Sequence, residues 1–410
     1  MAEAVLLDSG TATVSCPDCG LLQGIPGQVW QVSVSCSRCG AFFFRRRVEG
    51  LDESLSLMLA VAVLFGIALT QPFLTFSLRG QSQSCTLLGG VVGLGDSGAG
   101  ALAIVVFLTI ILAPLLRILG LLYVLGSLRL GWKGGALGPI FRRVEQVRPW
   151  AMLDVLMLAV LVAGVKMRDL ADVTLEPGVQ AFIPLVFLWA AARDRIDATL
   201  VWEAIEPQQI DPSEAGLTCL DCGNRVSRLP GHERIRCPRC HAILRSRKPE
   251  SLSRTAAFVL AAAILYVPAN FFPILSFTSL GRVETQTILG SVDLLFSTGM
   301  WPIGLILFFA SIVVPFLKIA GLTWLVVTVR MGSTRPVEET RLYRVIEYIG
   351  RWSMVDVFVL TLLVALVQLG NVATIVPGIG ATCFAAVVIL TIFGARSFDP
   401  RLIWDRRRNP

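Results

Sequence analysis

The sequence predicts an all-α membrane protein made of two copies of one unit, in which a small four-cysteine zinc ribbon precedes four transmembrane helices. Three observations predict this fold. The 410 residues are 54% hydrophobic and only 16% charged, whereas a soluble domain is about 45–50% apolar. Two clusters of four cysteines each stand directly before a long apolar stretch. The two halves also align with each other, which predicts eight transmembrane helices in two parallel repeats.

The alignment of the halves has a nearly constant offset. Cys36 corresponds to Cys237, 201 residues further on, and Pro114-Leu-Leu-Arg-Ile-Leu-Gly120 corresponds to Pro315-Phe-Leu-Lys-Ile-Ala-Gly321 at the same offset. Chance agreement at so many positions is implausible, so the pattern indicates a duplication. Because each unit has an even number of spans, both copies are expected to have the same orientation in the membrane.

Apolar stretches of roughly 20 residues are long enough to cross a hydrocarbon core of about 30 Å. In the first half the predicted spans are Leu55–Thr75, Ala101–Leu125, Trp150–Leu170 and Gly178–Ala192. In the second half they are Thr255–Phe277, Pro302–Val329, Trp352–Gln368 and Val376–Phe393. The predicted domains are a zinc ribbon over residues 1–50, a four-span domain over 51–200, a second ribbon over 201–250 and a second four-span domain over 251–410. The loop after the first span of each half is predicted to begin as extended chain. In the second half it should continue as a short amphipathic helix at the membrane surface.

The distribution of basic residues predicts the orientation of the spans. Lysine and arginine concentrate in alternate connections, from Arg45, Arg46 and Arg47 before the first span to the run of arginines after the last one. Cytoplasmic loops carry this excess of positive charge. No secretory signal is recognisable in the first fifty residues. Both ribbons and both termini are therefore expected in the cytosol.

The cysteine clusters predict two zinc sites. Two Cys-x-x-Cys pairs aim four thiolates at one tetrahedral Zn²⁺, and in a reducing cytosol such pairs favour metal ligation, with redox pairs or metal-free sites as the alternative. Four cysteines leave no open position, so both zinc ions are expected to be structural. His241 directly follows the last ligand and is expected to be exposed. The predicted ligands are Cys16, Cys19, Cys36, Cys39, Cys219, Cys222, Cys237 and Cys240.

Arginines around the second ribbon leave two interpretations open. They could contact nucleic acid, or they could face lipid head groups and solvent. The tether to a membrane favours the second interpretation, so no nucleic-acid partner is predicted. The arginines concerned are Arg225, Arg228, Arg234, Arg236 and Arg239.

Charged residues inside the predicted spans are candidates for function, because a charge in hydrocarbon is costly. Arg117 and Lys318 lie deep in the second spans, one turn after a proline, and Asp154 and Asp356 lie near the start of the third spans. Each basic side chain is expected to reach toward the aspartate of its own half. A structural ion pair and a role in transport are equally open interpretations.

The two halves differ at several polar positions, which suggests that one half is specialised, with neutral drift as the alternative. Lys166 and Asp169 fall where the second half has neutral residues, whereas Ser311 and Thr391 are polar positions of the second half. The predicted transport network consists of Lys318, Asp356, Ser311 and Thr391. The further candidates are Arg117, Asp154, Lys166 and Asp169.

The sequence contains no nucleotide-binding loop, no His-Glu-x-x-His motif and no Gly-x-Ser-x-Gly motif, and it has only two histidines. An enzyme is therefore not predicted.

Taken together, the repeated motifs resemble the paraquat-inducible protein A family over essentially the whole chain. They are the cysteine ribbon, Pro-x-x-Arg/Lys-x-x-Gly in the second span, Trp-x-Met-x-Asp-Val at the third, and the closing Phe398-Asp-Pro-Arg-Leu-Ile-Trp404. The resemblance implies tetraspanin-like four-helix bundles in the inner membrane of a Gram-negative bacterium. It also implies a periplasmic, tunnel-forming partner built of MCE domains and phospholipid as the cargo. The closing motif of the first half is degenerate.

The first hypothesis is thus a membrane component that passes phospholipid to an MCE-domain tunnel and supports envelope integrity. A second hypothesis is a scaffold or sensor that only anchors the tunnel. A third is a proton-coupled exporter of small amphiphiles.

Overall fold

A computed structural model describes most of the chain. The described residues are 12–25, 33–45, 51–78, 81–132, 134–167, 172–207, 216–227, 235–279, 282–299, 301–332, 335–350, 352–366 and 373–405.

The first half begins with a cysteine ribbon and continues as helices joined by short connections. Its ribbon consists of two hairpins, formed by β1 (Ala12–Ser15), β2 (Leu22–Ile25), β3 (Ser33–Ser35) and β4 (Phe42–Arg45). The elements that follow are α1 (Leu51–Thr70), β5 (Leu74–Leu78), β6 (Gln81–Cys85), α2 (Leu87–Asp96), α3 (Gly100–Val106), α4 (Ala113–Arg129), α5 (Leu137–Val147), α6 (Leu153–Met167), β7 (Asp172–Leu175), α7 (Pro177–Arg195) and α8 (Ala198–Ile205).

The second half repeats this order. Its ribbon contains the hairpin of β8 (Gly216–Thr218) and β9 (Arg225–Ser227) and a bridge between Arg236 and Ile243. The following elements are α9 (Ser251–Phe271), β10 (Leu275–Ser279), β11 (Arg282–Gln286), α10 (Ile288–Ser297), α11 (Trp301–Phe308), α12 (Val314–Met331), α13 (Pro336–Gly350), α14 (Val355–Leu366), β12 (Ala373–Pro377), α15 (Ile379–Ser397) and α16 (Leu402–Asp405).

Each of the eight predicted spans overlaps a described helix, although the predicted first spans of the two halves extend too far, to Thr75 in β5 and Phe277 in β10. By length and composition, six helical stretches are suited to cross a membrane, over residues 52–70, 100–129, 137–164, 251–271, 304–331 and 379–405. The other two predicted spans correspond to α7, which ends in the charged segment Arg193-Asp-Arg195, and to α14, which has 12 described residues. At 1.5 Å per residue, 12 residues extend for only about 18 Å.

The second span of each half contains a π-helical turn at the same place. It covers Phe107–Leu112 in the first half and Phe309–Val313 in the second, and each turn precedes a helical proline. Proline removes a backbone donor and crowds the preceding turn, so a wider turn accommodates it. The hydroxyl of Tyr266 donates a hydrogen bond to the Ile312 carbonyl at 3.0 Å. A side chain thus helps to satisfy the backbone where the helix is irregular.

A three-stranded antiparallel sheet lies at the end of each half opposite the start of the first span. The strand orders are β6-β5-β7 and β11-β10-β12. The extended chain after the first span, and the short helix that follows it, agree with the sequence prediction. The third strand was not predicted, because it pairs with a distant segment: Thr174 lies opposite Thr75. The mostly helical fold therefore includes two small sheets.

The two halves meet through their third spans. Helix α14 packs against α6 and α2 of the first half, whereas α9 and α15 pack along each other in the second half. We call the boundary along which residues of the two halves contact each other the seam. Helix α14 of the second repeat thus packs into the first repeat, so the two halves fold against each other.

The ribbons dock crosswise. The first ribbon packs on the second half, where Asp18 pairs with Arg344 of α13 at 2.6 Å and the guanidinium of Arg38 lies 4.4 Å from the centre of the Trp404 ring. The second ribbon packs on the first half, where Arg239 donates hydrogen bonds to the Glu206 carbonyl. The first ribbon therefore contacts the second transmembrane half, and the second ribbon contacts the first transmembrane half.

The second docking surface depends on a close backbone approach. Gly138 lies in the first turn of α5, and a Cβ atom at this position would overlap the carbonyl oxygen of Arg239. Glycine is required here because any larger residue would displace the ribbon.

Candidate functional site: two metal clusters and a buried polar region

Each predicted zinc cluster is assembled in the folded chain. The four sulfur atoms of each cluster lie within 4.8 Å of one another, and all eight cysteines are buried. The Sγ–Sγ distances include 3.6 Å between Cys16 and Cys39 and 3.5 Å between Cys222 and Cys237. Tetrahedral zinc with Zn–S bonds of about 2.3 Å requires sulfurs about 3.8 Å apart. The two sets of four thiols therefore fit a structural Zn²⁺ ion.

The sulfurs are positioned by four similar turns. In the first turn, the Gly20 amide donates to the Cys16 carbonyl at 2.9 Å, and Gly20 has a φ of +70°. Gly40 and Gly223 occupy the same left-handed position with similar φ values. In the fourth turn the position is held by His241, with a φ of +56°. The His241 side chain is exposed, as predicted, and the four thiols of the cluster are provided without it.

This exception predicts a stabilising substitution. A left-handed conformation costs a non-glycine residue about 1–2 kcal/mol. Glycine avoids this cost but loses more backbone entropy on folding, so the net gain from the substitution is smaller. We expect His241→Gly to stabilise the second ribbon by about 1 kcal/mol and to slow zinc release to a chelator about fivefold. The reverse change, Gly40→His, should speed release from the first ribbon, since the space beside Gly40 is open and only the backbone cost applies. Zinc release rates that are unchanged from the parent protein in both variants would contradict this account.

Some of the arginines of the second ribbon are buried, and one of them contributes to the docking of the ribbon on the first half. Arg225 and Arg239 are buried, and Arg239 bonds to the end of α8. Arg236 is exposed, whereas Arg228 and Arg234 lie outside the described residues. Two of the five arginines are thus part of the folded interior rather than of an open basic surface.

Lys318 is the most deeply buried basic side chain among the described residues. Only 1% of it is exposed, and its ammonium donates to the hydroxyl of Ser353 at 3.5 Å. Lys318 forms no ion pair with any side chain that the structure describes. Ser353 was not predicted as a site residue, although its place in the Trp-x-Met-x-Asp-Val motif, just before Asp356, is a signal that could have identified it. Within the described residues, the Ser353 hydroxyl is the polar side-chain partner of this buried ammonium, and the side chain of the predicted partner Asp356 lies outside them.

The other predicted network residues of the second half are only partly accounted for. Thr391 is fully buried, and its hydroxyl donates to the Val388 carbonyl at 2.8 Å. Ser311 is 2% exposed and lies in the π-helical turn. The side chains of Asp356 and Lys166, and the whole of Asp169, lie outside the described part of the chain. The transport network therefore remains a prediction, and the structure adds to it only the contact between Lys318 and Ser353.

The expected pairing in the first half is wrong. Asp154 pairs with Arg193 of α7 at 3.1 Å rather than with Arg117. Arg117 is 4% exposed and lies over the ring of Trp189, 5.0 Å from its centre. Among the described residues, Nε and Nη1 of Arg117 have no hydrogen-bond partner. The two halves thus treat their equivalent basic residues differently, because the first half supplies an arginine at the end of α7.

The closing motif of the second half anchors the chain end. The Asp399 carboxylate accepts from the Arg401 guanidinium at 2.9 Å and from the Lys248 amide at 3.1 Å. The Lys248 ammonium donates to the Phe398 carbonyl at 3.0 Å. Burial lowers the pKa of Lys248, and the Asp399 carboxylate opposes this shift. In the first half, Asp197 stands at the corresponding position and caps α8 through the Thr199 amide at 2.8 Å.

A duplicated bundle of apolar helices with two four-cysteine clusters that could each hold a metal ion defines the class of the protein, a multi-pass membrane protein built of two repeats. The family model for paraquat-inducible protein A matches twice, at residues 51–206 and 252–408. The chain belongs to this family. The double match also confirms the duplication predicted from the sequence.

Curated relatives extend over nearly the whole chain. The intermembrane transport protein PqiA of Escherichia coli (strain K12) is 31% identical over 96% of both chains. The lipophilic envelope-spanning tunnel protein A of the same strain is 32% identical over 95% of this chain and 90% of the relative. A probable intermembrane transport protein of Haemophilus influenzae is 25% identical over 95% of both. No solved structure matches the chain.

Proposed function

We propose that this protein is the inner-membrane component of a system that moves phospholipid between two membranes. In this proposal all eight predicted spans cross the membrane, and the ribbons and termini face the cytosol. Phospholipid passes between the second bundle and a periplasmic tunnel protein built of MCE domains. The names of the relatives, which specify intermembrane transport and an envelope-spanning tunnel, support a transport role.

The observation that carries the proposal is the burial of Lys318. A basic group kept in a membrane bundle is by default functional or paired, and no described side chain forms an ion pair with it. Asymmetry between the repeats supports the second half as the working half, because the equivalent Arg117 stacks on an aromatic ring instead. The zinc ions, held by closed shells of four thiols, would supply structure at the cytosolic end rather than chemistry.

The test is Lys318→Met, which removes the ammonium but keeps a long apolar side chain. We expect this variant to fail to restore the envelope barrier to detergent in a strain that lacks the protein, and to fail to move phospholipid between membranes. Arg117→Met is the matched control in the other half and should keep most of the activity. Metal content and membrane abundance must equal those of the parent protein.

The scaffold and exporter hypotheses give different results in the same experiment. Full barrier function and lipid movement in Lys318→Met, together with loss of function in ribbon variants that remain inserted, would support a scaffold and sink the transport role of Lys318. Sensitivity to small amphiphiles without any lipid defect would support an exporter.

A further inference from the structure

Two neighbouring cavities of opposite chemical character lie at the seam between the halves. The first has a volume of about 350 Å³ and is lined by five cationic side chains and one carboxylate. The second, of about 400 Å³, is lined almost entirely by apolar side chains. The charged lining residues of the first cavity are Arg148, Arg193, Lys318, Arg344, Arg396 and Glu347. We call the two cavities the basic cavity and the apolar groove.

The two cavities share a wall. Consecutive residues face one or the other: Val147 lines the apolar groove and Arg148 the basic cavity, and Phe393 lines the groove beside Ile392 of the cavity. The rings of Trp150 and Phe393 are 5.3 Å apart between centres and belong to opposite halves. A molecule with a charged end and an apolar tail would therefore meet two matching surfaces side by side.

Two of the five lining cations of the basic cavity have no ion pair with an acid that the structure describes. Three of the arginines are ion-paired with acids outside the lining: Arg148 with Glu145, Arg193 with Asp154 and Arg344 with Asp18.

Lys318 and Arg396 form no ion pair with a described residue. Arg396 donates to the Gln146 carbonyl at 3.3 Å and lies 5.7 Å from the centre of the Trp150 ring. Glu347 reduces the net charge of the lining but leaves it positive. Because Lys318 is 99% buried, its positive charge lies inside the folded bundle rather than on an exposed surface.

The basic cavity lies at the ribbon end of the bundle. Arg344 lines the cavity and at the same time pairs with Asp18 of the first ribbon. The proposed orientation places this end at the cytosolic leaflet, where lipid head groups lie. A cavity of about 350 Å³ has room for about twelve water molecules at roughly 30 Å³ each, which suits a phosphate and its substituent.

We propose that the seam binds an anionic phospholipid, with its phosphate in the basic cavity and an acyl chain in the apolar groove. Charge complementarity selects this occupant, since arginine and lysine are the usual partners of phosphate oxygens. The inference rests on the proposed function for its biological meaning, because the site would load lipid from the cytosolic leaflet. The binding itself does not require transport.

The experiment uses the fluorescence of Trp150, which lines the apolar groove. The full-length protein in detergent micelles is titrated with phosphatidylglycerol carrying brominated acyl chains, and the same titration is made with Trp150→Phe. The difference isolates the quenching of Trp150 from that of the other tryptophans. We expect half-maximal quenching at a much lower lipid fraction for phosphatidylglycerol than for brominated phosphatidylcholine.

Arg396→Gln tests the phosphate contact. Loss of a charge-assisted hydrogen bond should weaken phosphatidylglycerol binding about tenfold. Phosphatidylcholine, whose choline ammonium is repelled by the positive lining, should bind weakly before and after the change. Arg254→Gln is the matched control, because Arg254 is exposed, pairs with Glu250 on the same helix and lies outside the lining. If Arg396→Gln fails to fold, Lys318→Met replaces it, because Lys318 is the other lining cation without an ion pair to a described acid.

Three outcomes would overturn the proposal. The first is equal quenching by the two lipids, and the second is unchanged phosphatidylglycerol binding in the arginine variant. The third uses inorganic phosphate as a probe: thermal stabilisation by phosphate that depends on Arg396, without quenching by brominated lipid, would mean that the cavity takes a free ion. Failure of any kind would leave the barrier defect of Lys318→Met in place, because that experiment measures transport and this one measures binding.

Discussion

Replacing one zinc ligand, Cys36→Ser, is expected to disturb the second transmembrane half more than the first. A structural zinc site contributes about 10–16 kcal/mol in small zinc domains, so the first ribbon should unfold when its metal is lost. The bound zinc should fall from two ions to about one per chain. The Arg344–Asp18 pair and the stacking of Arg38 on Trp404 would be lost with the ribbon.

Hydrogen–deuterium exchange measures where this effect appears. Exchange should rise over α13 and α16, which begin about 300 and about 370 residues beyond the substituted cysteine. Cys237→Ser should instead raise exchange over α5 and α8. Cys383→Ser is the control, since Cys383 is a partly exposed cysteine outside both clusters. Increased exchange confined to the first half in Cys36→Ser would show that the ribbons do not dock crosswise.

Asp399→Ala is also expected to lower the free energy of unfolding by a large amount. The Asp399 side chain is 1% exposed and that of Arg401 is 10% exposed. Removing the carboxylate leaves a buried guanidinium without its partner, which costs about 3–5 kcal/mol. The Lys248 and Arg401 amides also lose an acceptor. We expect a clearly lower thermal unfolding midpoint for the purified protein.

The duplication supplies the control for this prediction. Asp197 occupies the same position of the first half, but its described contact is a helix cap to the Thr199 amide. Asp197→Ala should therefore cost only about 1 kcal/mol. Asp399→Asn should fall between the two variants, because it keeps a hydrogen-bond acceptor but loses the charge. Equal shifts for the two alanine variants would show that the Asp399–Arg401 pair adds nothing beyond a local cap.

Local patterns made the repeat, the cysteine clusters and the helices predictable. The Cys-x-x-Cys spacing alone places two sulfurs of each pair, and the folded chain brings the two pairs of each cluster together. Apolar length located helices at all eight predicted spans. The exposure of His241 was also predictable, because four cysteines already complete the metal shell.

Contacts between distant segments were not predictable from one sequence. Asp154 has two basic candidates in its own half, and only the packing of α7 selects Arg193 over Arg117. Ser353 approaches Lys318 because α12 and the start of α14 meet, which no spacing rule specifies. Strands β7 and β12 are too short to be recognised without their partners. The crosswise docking of the ribbons is likewise a property of the folded chain.

The crosswise docking also orders the events of synthesis. The Cys39 carbonyl accepts a hydrogen bond from Arg344, which is 305 residues further along the chain. At about 5–20 residues per second, the ribosome needs about 15–60 s to make the surface on which the first ribbon rests. During that interval the first ribbon lacks the surface on which it docks. A segment made early is thus held in place by one made much later, and a chain terminated before α13 would expose an undocked ribbon to the proteases of the cell.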